Sequence, residues 1–229
     1  MRYIPLTTAL LLAVSAQHLA SAETLLHLSE AAEIQIHPDR LAAGLRVEAD
    51  GATTAEVQAK VNAGMAAAVD LAKKTPGITA STGGYSVWQV QPAPQASKHW
   101  HASQTLDLVG SDGAVVQTLV GTLQAQGVIL QQLGWRLAPE TTRKAHAEAM
   151  QMALKQLRGR TEDAANALGL AFVSFRLVNL DPSGVAPRAV MMAAPMVSAS
   201  AAMPIPVAEA TDITVDARIE ADAVLQPKP

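Results

Sequence analysis

Residues 33–69 read EIQIHPDRLAAGLRVEADGATTAEVQAKVNAGMAAAV, and the changes of period along this stretch indicate the fold. Ile34 and Ile36 alternate with Glu33, Gln35 and His37, the period-two pattern of a half-buried strand. Pro38-Asp39 interrupts the run as a turn. Leu45 and Val47 then alternate with Arg46 and Glu48 as a second strand, which Asp50-Gly51 closes. Beyond it the period lengthens. Thr53 or Thr54 can cap a helix through its hydroxyl, and Val57, Val61, Met65, Ala68 and Ala72 recur at helical spacing, so one apolar stripe faces a core. Pro76-Gly77 ends this helix just after Lys73-Lys74, whose charges suit a helix C-terminus.

The same signals continue outward. Residues 25–47 read as extended, and residues 78–90 form a strand with Tyr85, Val87 and Trp88 as its bulk. A Pro-rich turn at 91–97 (QPAPQAS) leads to a strand over 98–109. That strand places Trp100, Ala102, Leu106 and Leu108 on one face, and His99, His101, Ser103, Thr105 and Asp107 on the other. The two strands make a hairpin with a long tip. Ser111 or Asp112 caps a helix that reaches about residue 126, with Val115, Val116, Leu119 and Leu123 as its stripe and Gly127 as its stop. Residues 128–137 form a strand. Pro139, favoured at a first helical position, opens the longest helix. It runs to Leu168 and Gly169, about 45 Å at 1.5 Å per residue, with Ala149, Ala153, Leu157, Ala164 and Leu168 as its expected stripe. A strand over 171–180 and a turn at 181–184 follow. Residues 185–206 are rich in Ala, Pro, Met and Val with almost no charge, an irregular excursion that is either a loop or a contact surface. A last strand over 211–225 turns Ile213, Val215, Ala217 and Ile219 to one side. The order predicts an α+β fold: a mixed, largely antiparallel sheet packed with Ala-rich helices, one of them long. The βα crossovers allow some parallel pairing.

Compartment and partners are read from the N-terminus and the composition. Arg2, the apolar run LTTALLLAV (6–14) and Ala20-Ser21-Ala22 form a secretory leader with cleavage after Ala22. The expected domain is therefore 23–229, exported to the periplasm. The apolar run is shorter than the roughly 20 residues a bilayer span takes, and no later run is longer. Without Arg2 the mature chain carries 16 basic against 20 acidic residues, which argues against a nucleic-acid partner. The chain contains no cysteine, so no disulfide can form, and stability must come from burial, assembly or both.

Taken together, these segments resemble the SIMPL-domain family of mostly periplasmic bacterial proteins. The resemblance rests on the strand, Pro-Asp, strand and Ala-rich helix of residues 33–69. It is joined by the Gly84-Tyr85-Ser86-Val87 strand, the His101-Ala102-Ser103-Gln104-Thr105-Leu106 strand, and the Ala-rich helix over 143–169 that closes in Leu-Gly. The Pro/Met-rich stretch 185–206 departs from the family pattern. The resemblance implies an α+β fold, in some members large ring-like homo-oligomers, and a loose link to oxidative-stress tolerance and to outer-membrane or surface antigens. It implies no agreed catalytic residues.

The candidate chemistry is sparse. His99 and His101 share one strand face as metal ligands sometimes do, but a site needs a third and usually a fourth ligand, and Asp107 sits far along that face. The ordinary reading is a polar strand facing solvent. Met191, Met192, Met196 and Met203 cluster in one segment. Thioethers suit Cu(I), yet Met also makes adaptable apolar contacts and oxidises reversibly. No nucleophile elbow or His-Glu-x-x-His motif occurs; Gly83-Gly84 lacks phosphate-loop spacing and suits a bulge or a turn. The sequence thus predicts a non-enzymatic periplasmic protein that forms homo-oligomers and needs no cofactor. The competing expectations are a copper or small-ligand binding protein using the Met segment, and a hydrolase with a non-standard site.

Overall fold

The computed structural model describes residues 23–91, 97–180, 188–189 and 207–228. Residues 1–22, expected to be a leader, residues 92–96 of the expected hairpin tip and, apart from the backbone of Arg188–Ala189, the segment 181–206 lie outside the described residues, and with them the four Met candidates.

The two strands on either side of Pro38-Asp39 form as their alternation predicts, but they do not pair with each other. Strand β1 (Thr24–Ile36) pairs with β8 (Ile213–Pro227), which also pairs with β6 (Leu170–Leu180) and the two-residue β7 (Arg188–Ala189). Strand β2 (Arg40–Gly51) joins a second sheet of order β3-β4-β2-β5, with β3 Ile78–Val90, β4 His99–Gly110 and β5 Ile129–Arg136. Pro38-Asp39 is therefore a crossing between sheets rather than a hairpin turn. Among the described residues every pairing is antiparallel. The fold is α+β as expected, but the described residues form two sheets rather than one, and among them the parallel pairing that the crossovers allowed does not occur.

The physical reason lies in where the helices return the chain. In the second sheet, α1 (Thr54–Lys74) carries β2 to β3 and α2 (Gly113–Ala125) carries β4 to β5, and each crossover skips one strand that fills the gap in the opposite direction. This is the β-α-β-β-α-β split arrangement. Right-handed crossovers put both helices on one face, where Leu41, Leu45, Val57, Val61, Leu106, Leu108, Val116 and Leu123 close the main core. Thr53 caps α1, accepting from the Glu56 N–H at 3.2 Å, and Asp112 caps α2. All three helices are followed by a glycine with positive φ (Gly77, Gly127 and Gly169), a backbone region that penalises any Cβ. On α2, Val120 replaces the expected Val115 in the fully buried set.

The long helix α3 (Pro139–Ala167) covers the first sheet with Ala145, Ala149, Ala153, Leu157, Thr161 and Ala165. The expected stripe through Ala164 and Leu168 is corrected: Leu168 is 59% exposed. A ridge of every fourth residue runs obliquely across a helix, and the twisted sheet follows it, which carries Thr161 and Ala165 inward. The Thr161 hydroxyl donates to Leu157 O at 2.7 Å, so its burial leaves no unmet donor.

The two halves meet where β1 passes to β2 and β5 passes to α3. Ala138 caps α3 without a side chain to do so. Asp39 supplies one from the other crossing: its carboxylate accepts from Ala138 N–H at 2.7 Å and from Thr141 Oγ at 2.6 Å. Arg40 flanks it, with Glu140 3.5 Å away. Burial pushes the Asp39 carboxyl upward, but the bonds from Thr141 and Ala138 and the charge of Arg40 outweigh it and hold the group below the usual carboxylate value. Trp135 adds a second tie, donating to Ala208 O at 2.9 Å.

Candidate functional site

Strand alternation leaves the second sheet with a helix-free face, and strand register assembles a polar cluster there. In β2, Leu41, Ala43, Leu45 and Val47 face the helices, so Arg46, Glu48 and Asp50 face away. In β4, Ala102, Leu106 and Leu108 are buried, so His99 and His101 face away too. Asp50, His101 and Trp88 are direct neighbours in one row across β2, β4 and β3.

The Asp50 Oδ1 atom lies 2.9 Å from His101 Nδ1 and 3.3 Å from His99 Nε2. The other ring nitrogen of His101 is 3.9 Å from Glu48, which pairs with Arg46 at 2.9 Å. Trp88 tilts over His101 with ring centroids 4.5 Å apart. The His101 side chain is 15% exposed, so the expectation of a solvent-facing pair is corrected for this residue: two carboxylates and an indole surround it. The sequence reading missed Glu48 and Asp50 as partners because they come from a strand 50 residues upstream. The only signal available was shared alternation with a matching face.

The arrangement orients imidazoles between acids, but it does not complete a coordination sphere. Among the described residues, no group of three or more His, Asp or Glu side chains is arranged to hold a metal ion. Asp107 stands apart, opposite Gly44 and Ser81. Of the bulge or turn open to it, Gly83-Gly84 forms the bulge, two residues of β3 opposite Thr105, and a Cβ at Gly83 would collide with the Thr105 hydroxyl.

A second concavity, about 340 Å³, lies between the end of α1 and α2, lined by Leu71, Thr75, Val115, Thr118, Leu119 and Thr122 among others. The hydroxyls of Thr75, Thr118 and Thr122 already donate to carbonyls four residues back. The cleft therefore offers mainly methyl groups and no convergent polar set of the kind that orients a substrate.

The family described as SIMPL, protein of unknown function (DUF541), matches residues 26–222. The chain belongs to the SIMPL family. The match takes in both sheets and all three helices, so this two-sheet arrangement is the SIMPL domain of the protein. No curated protein matches the chain. One similar solved structure is an X-ray structure from Burkholderia cenocepacia, provisionally described as an amidohydrolase/peptidase. It is 18% identical, covers 62% of this chain, and has a TM-score of 0.27. This chain spans about a third of that protein's length (35%), and a likeness so slight carries no argument about activity. Among the described residues, no helix is long and apolar enough to cross a membrane.

Proposed function

We propose that this SIMPL protein is exported to the periplasm and works as a self-assembling, non-enzymatic component that supports envelope or oxidative-stress tolerance. Export rests on the leader layout of residues 1–22 and the stress role on the family resemblance. Assembly rests on one structural observation. The strand β6 and the residue that ends α3 expose Leu168, Val173, Leu177 and Leu180 at 59%, 52%, 57% and 46%.

Fully burying such a side chain is worth roughly 1.5–3 kcal/mol, so covering four half-exposed ones is worth several. Leu177 lies opposite Asp222 and Leu180 opposite Ile219, so these side chains flank both faces of the sheet edge, and exposed apolar surface of this kind supports a contact along that edge. The test is a pair of substitutions, Val173→Ser with Leu177→Ser. Both side chains are already half out of the core, so the circular-dichroism spectrum should be unchanged while the mass by light scattering falls. An unchanged mass would refute the role given to β6.

A further inference from the structure

Among the described residues β1, β3, β5, β6 and the two-residue β7 lie at sheet edges, and β1 lacks most of the usual protection. Natural edge strands are kept from pairing with other chains by bulges, prolines, short length, Lys and Arg residues or inward-pointing charges; on β1 the one inward charge, Glu30, is neutralised by Arg160 of α3. Each of β3, β5 and β6 carries a register shift against its neighbour, at Thr82/Tyr85, Gly44/Leu45, and both Phe172/Ser174 and Phe175/Leu177. The strand β1 has none. Its 13 residues, TLLHLSEAAEIQI, pair with β8 in one unbroken register. They include no Pro, Gly, Lys or Arg. Among the described residues nothing pairs with the other side of β1.

The same strand leaves apolar surface half covered. Leu28, Ile34 and Ile36 pack only partly buried beneath α3, and Leu26 is likewise half-buried. Alternation puts Leu25, His27, Ser29, Ala31, Glu33 and Gln35 on the opposite, exposed face.

From these observations we infer that the free edge of β1 pairs antiparallel with β1 of a second copy, across a two-fold axis at Ala31. A two-fold perpendicular to the sheet keeps both α3 helices on one side. With the axis at Ala31, Leu26 lies opposite the partner's Ile36 and Leu28 opposite the partner's Ile34. Glu30 lies opposite the partner's Ala32, His27 opposite the partner's Gln35, and Ser29 opposite the partner's Glu33. No like charges meet, and apolar residues meet apolar ones, which is what stabilises cross-strand pairs. Moving the axis to Glu30 opposes two carboxylates. Moving it to Ser29 or Ala32 sets Glu30 against Leu28 or Ile34. Pairing over 26–36 makes a seam of about 37 Å at 3.4 Å per residue and joins the β1 sheets of the two copies into one. The contact is isologous, so by itself it closes a dimer; a larger ring also needs the β6 surface. This inference rests on the assembly reading above and specifies one of its contacts.

Because the chain has no cysteine, Ala31→Cys in residues 23–229 introduces a single thiol. On the axis, opposed Cα atoms fall within the range a disulfide bridges, so oxidation should yield covalent dimers. Glu33→Cys places the two thiols four residues apart along the seam, about 13 Å, and should not cross-link. Ala31→Glu keeps the fold, since Arg218 is the cross-strand neighbour of residue 31 on β8, but opposes two carboxylates on the axis and should reduce the mass. Cross-linking at 31 but not at 33, with a reduced mass for Ala31→Glu, is the expected result. An oligomer that cross-links no better at 31 than at 33 and keeps its mass in Ala31→Glu overturns this contact and leaves assembly standing. A wild-type monomer overturns both.

Discussion

Replacing Asp39 tests how the two halves are held together. Asp39→Ala removes the acceptor for Ala138 N–H and Thr141 Oγ, both part-buried bonds under 2.8 Å. Losing an N-terminal cap costs about 0.5–2 kcal/mol, and losing a carboxylate from a helix N-terminus costs roughly a further 0.3–1 kcal/mol. We expect Asp39→Ala to lose about 2–3 kcal/mol in urea unfolding at neutral pH. Asp39→Asn, which keeps one acceptor, should lose about 1 kcal/mol. The pH dependence has a definite sign. Because the folded-state value lies below the ordinary carboxylate value, the contribution of Asp39 is present above the unfolded value and is lost as pH falls through the folded one. The gap between wild type and Asp39→Asn should hold constant from pH 7 to 5 and close below pH 4. A loss under 0.5 kcal/mol for Asp39→Ala, or a gap that widens in acid, would refute the clasp.

Gly83→Ala should destabilise by about 1–3 kcal/mol through its collision with Thr105, and much of that loss should be recovered in a Thr105→Ala background; additive losses in a double-mutant cycle would contradict the bulge packing. Ala153 on α3 is fully buried against β8, so Ala153→Leu should cost about 1–3 kcal/mol or more by overpacking, read as a lower thermal midpoint; a neutral change would mean that α3 does not sit close on β8. Replacing Met191, Met192, Met196 and Met203 by Leu should leave Cu(I) titration of the purified protein unchanged; a lost binding step would favour the copper reading instead.

Local physics made most elements legible. The alternation at Ile34 and Ile36, the caps at Thr53 and Asp112, Pro139 at the start of α3 and the glycines after each helix are short-range signals, and each element formed where they indicated. Pairing partners are long-range. Nothing near Pro38 states that β1 joins β8, some 190 residues away, while β2 joins β4 and β5, and so two sheets were read as one. The stripe of α3 drifted for a related reason: past Leu157 a twisted sheet, not helix periodicity alone, selects which residues are buried. At the candidate site His99 and His101 were visible as a pair, but Glu48, Asp50 and Trp88 reach them only through register. The role of Asp39 was hidden in the same way, since a Pro-Asp turn gives no sign of capping a helix that begins 100 residues later.

Assembly is the central claim, and the mass of residues 23–229 in solution tests it most directly. Light scattering coupled to size exclusion, over a tenfold dilution series, should give a defined multiple of one chain, the full 229-residue sequence being 23.9 kDa. A single-chain mass at every concentration would contradict the account.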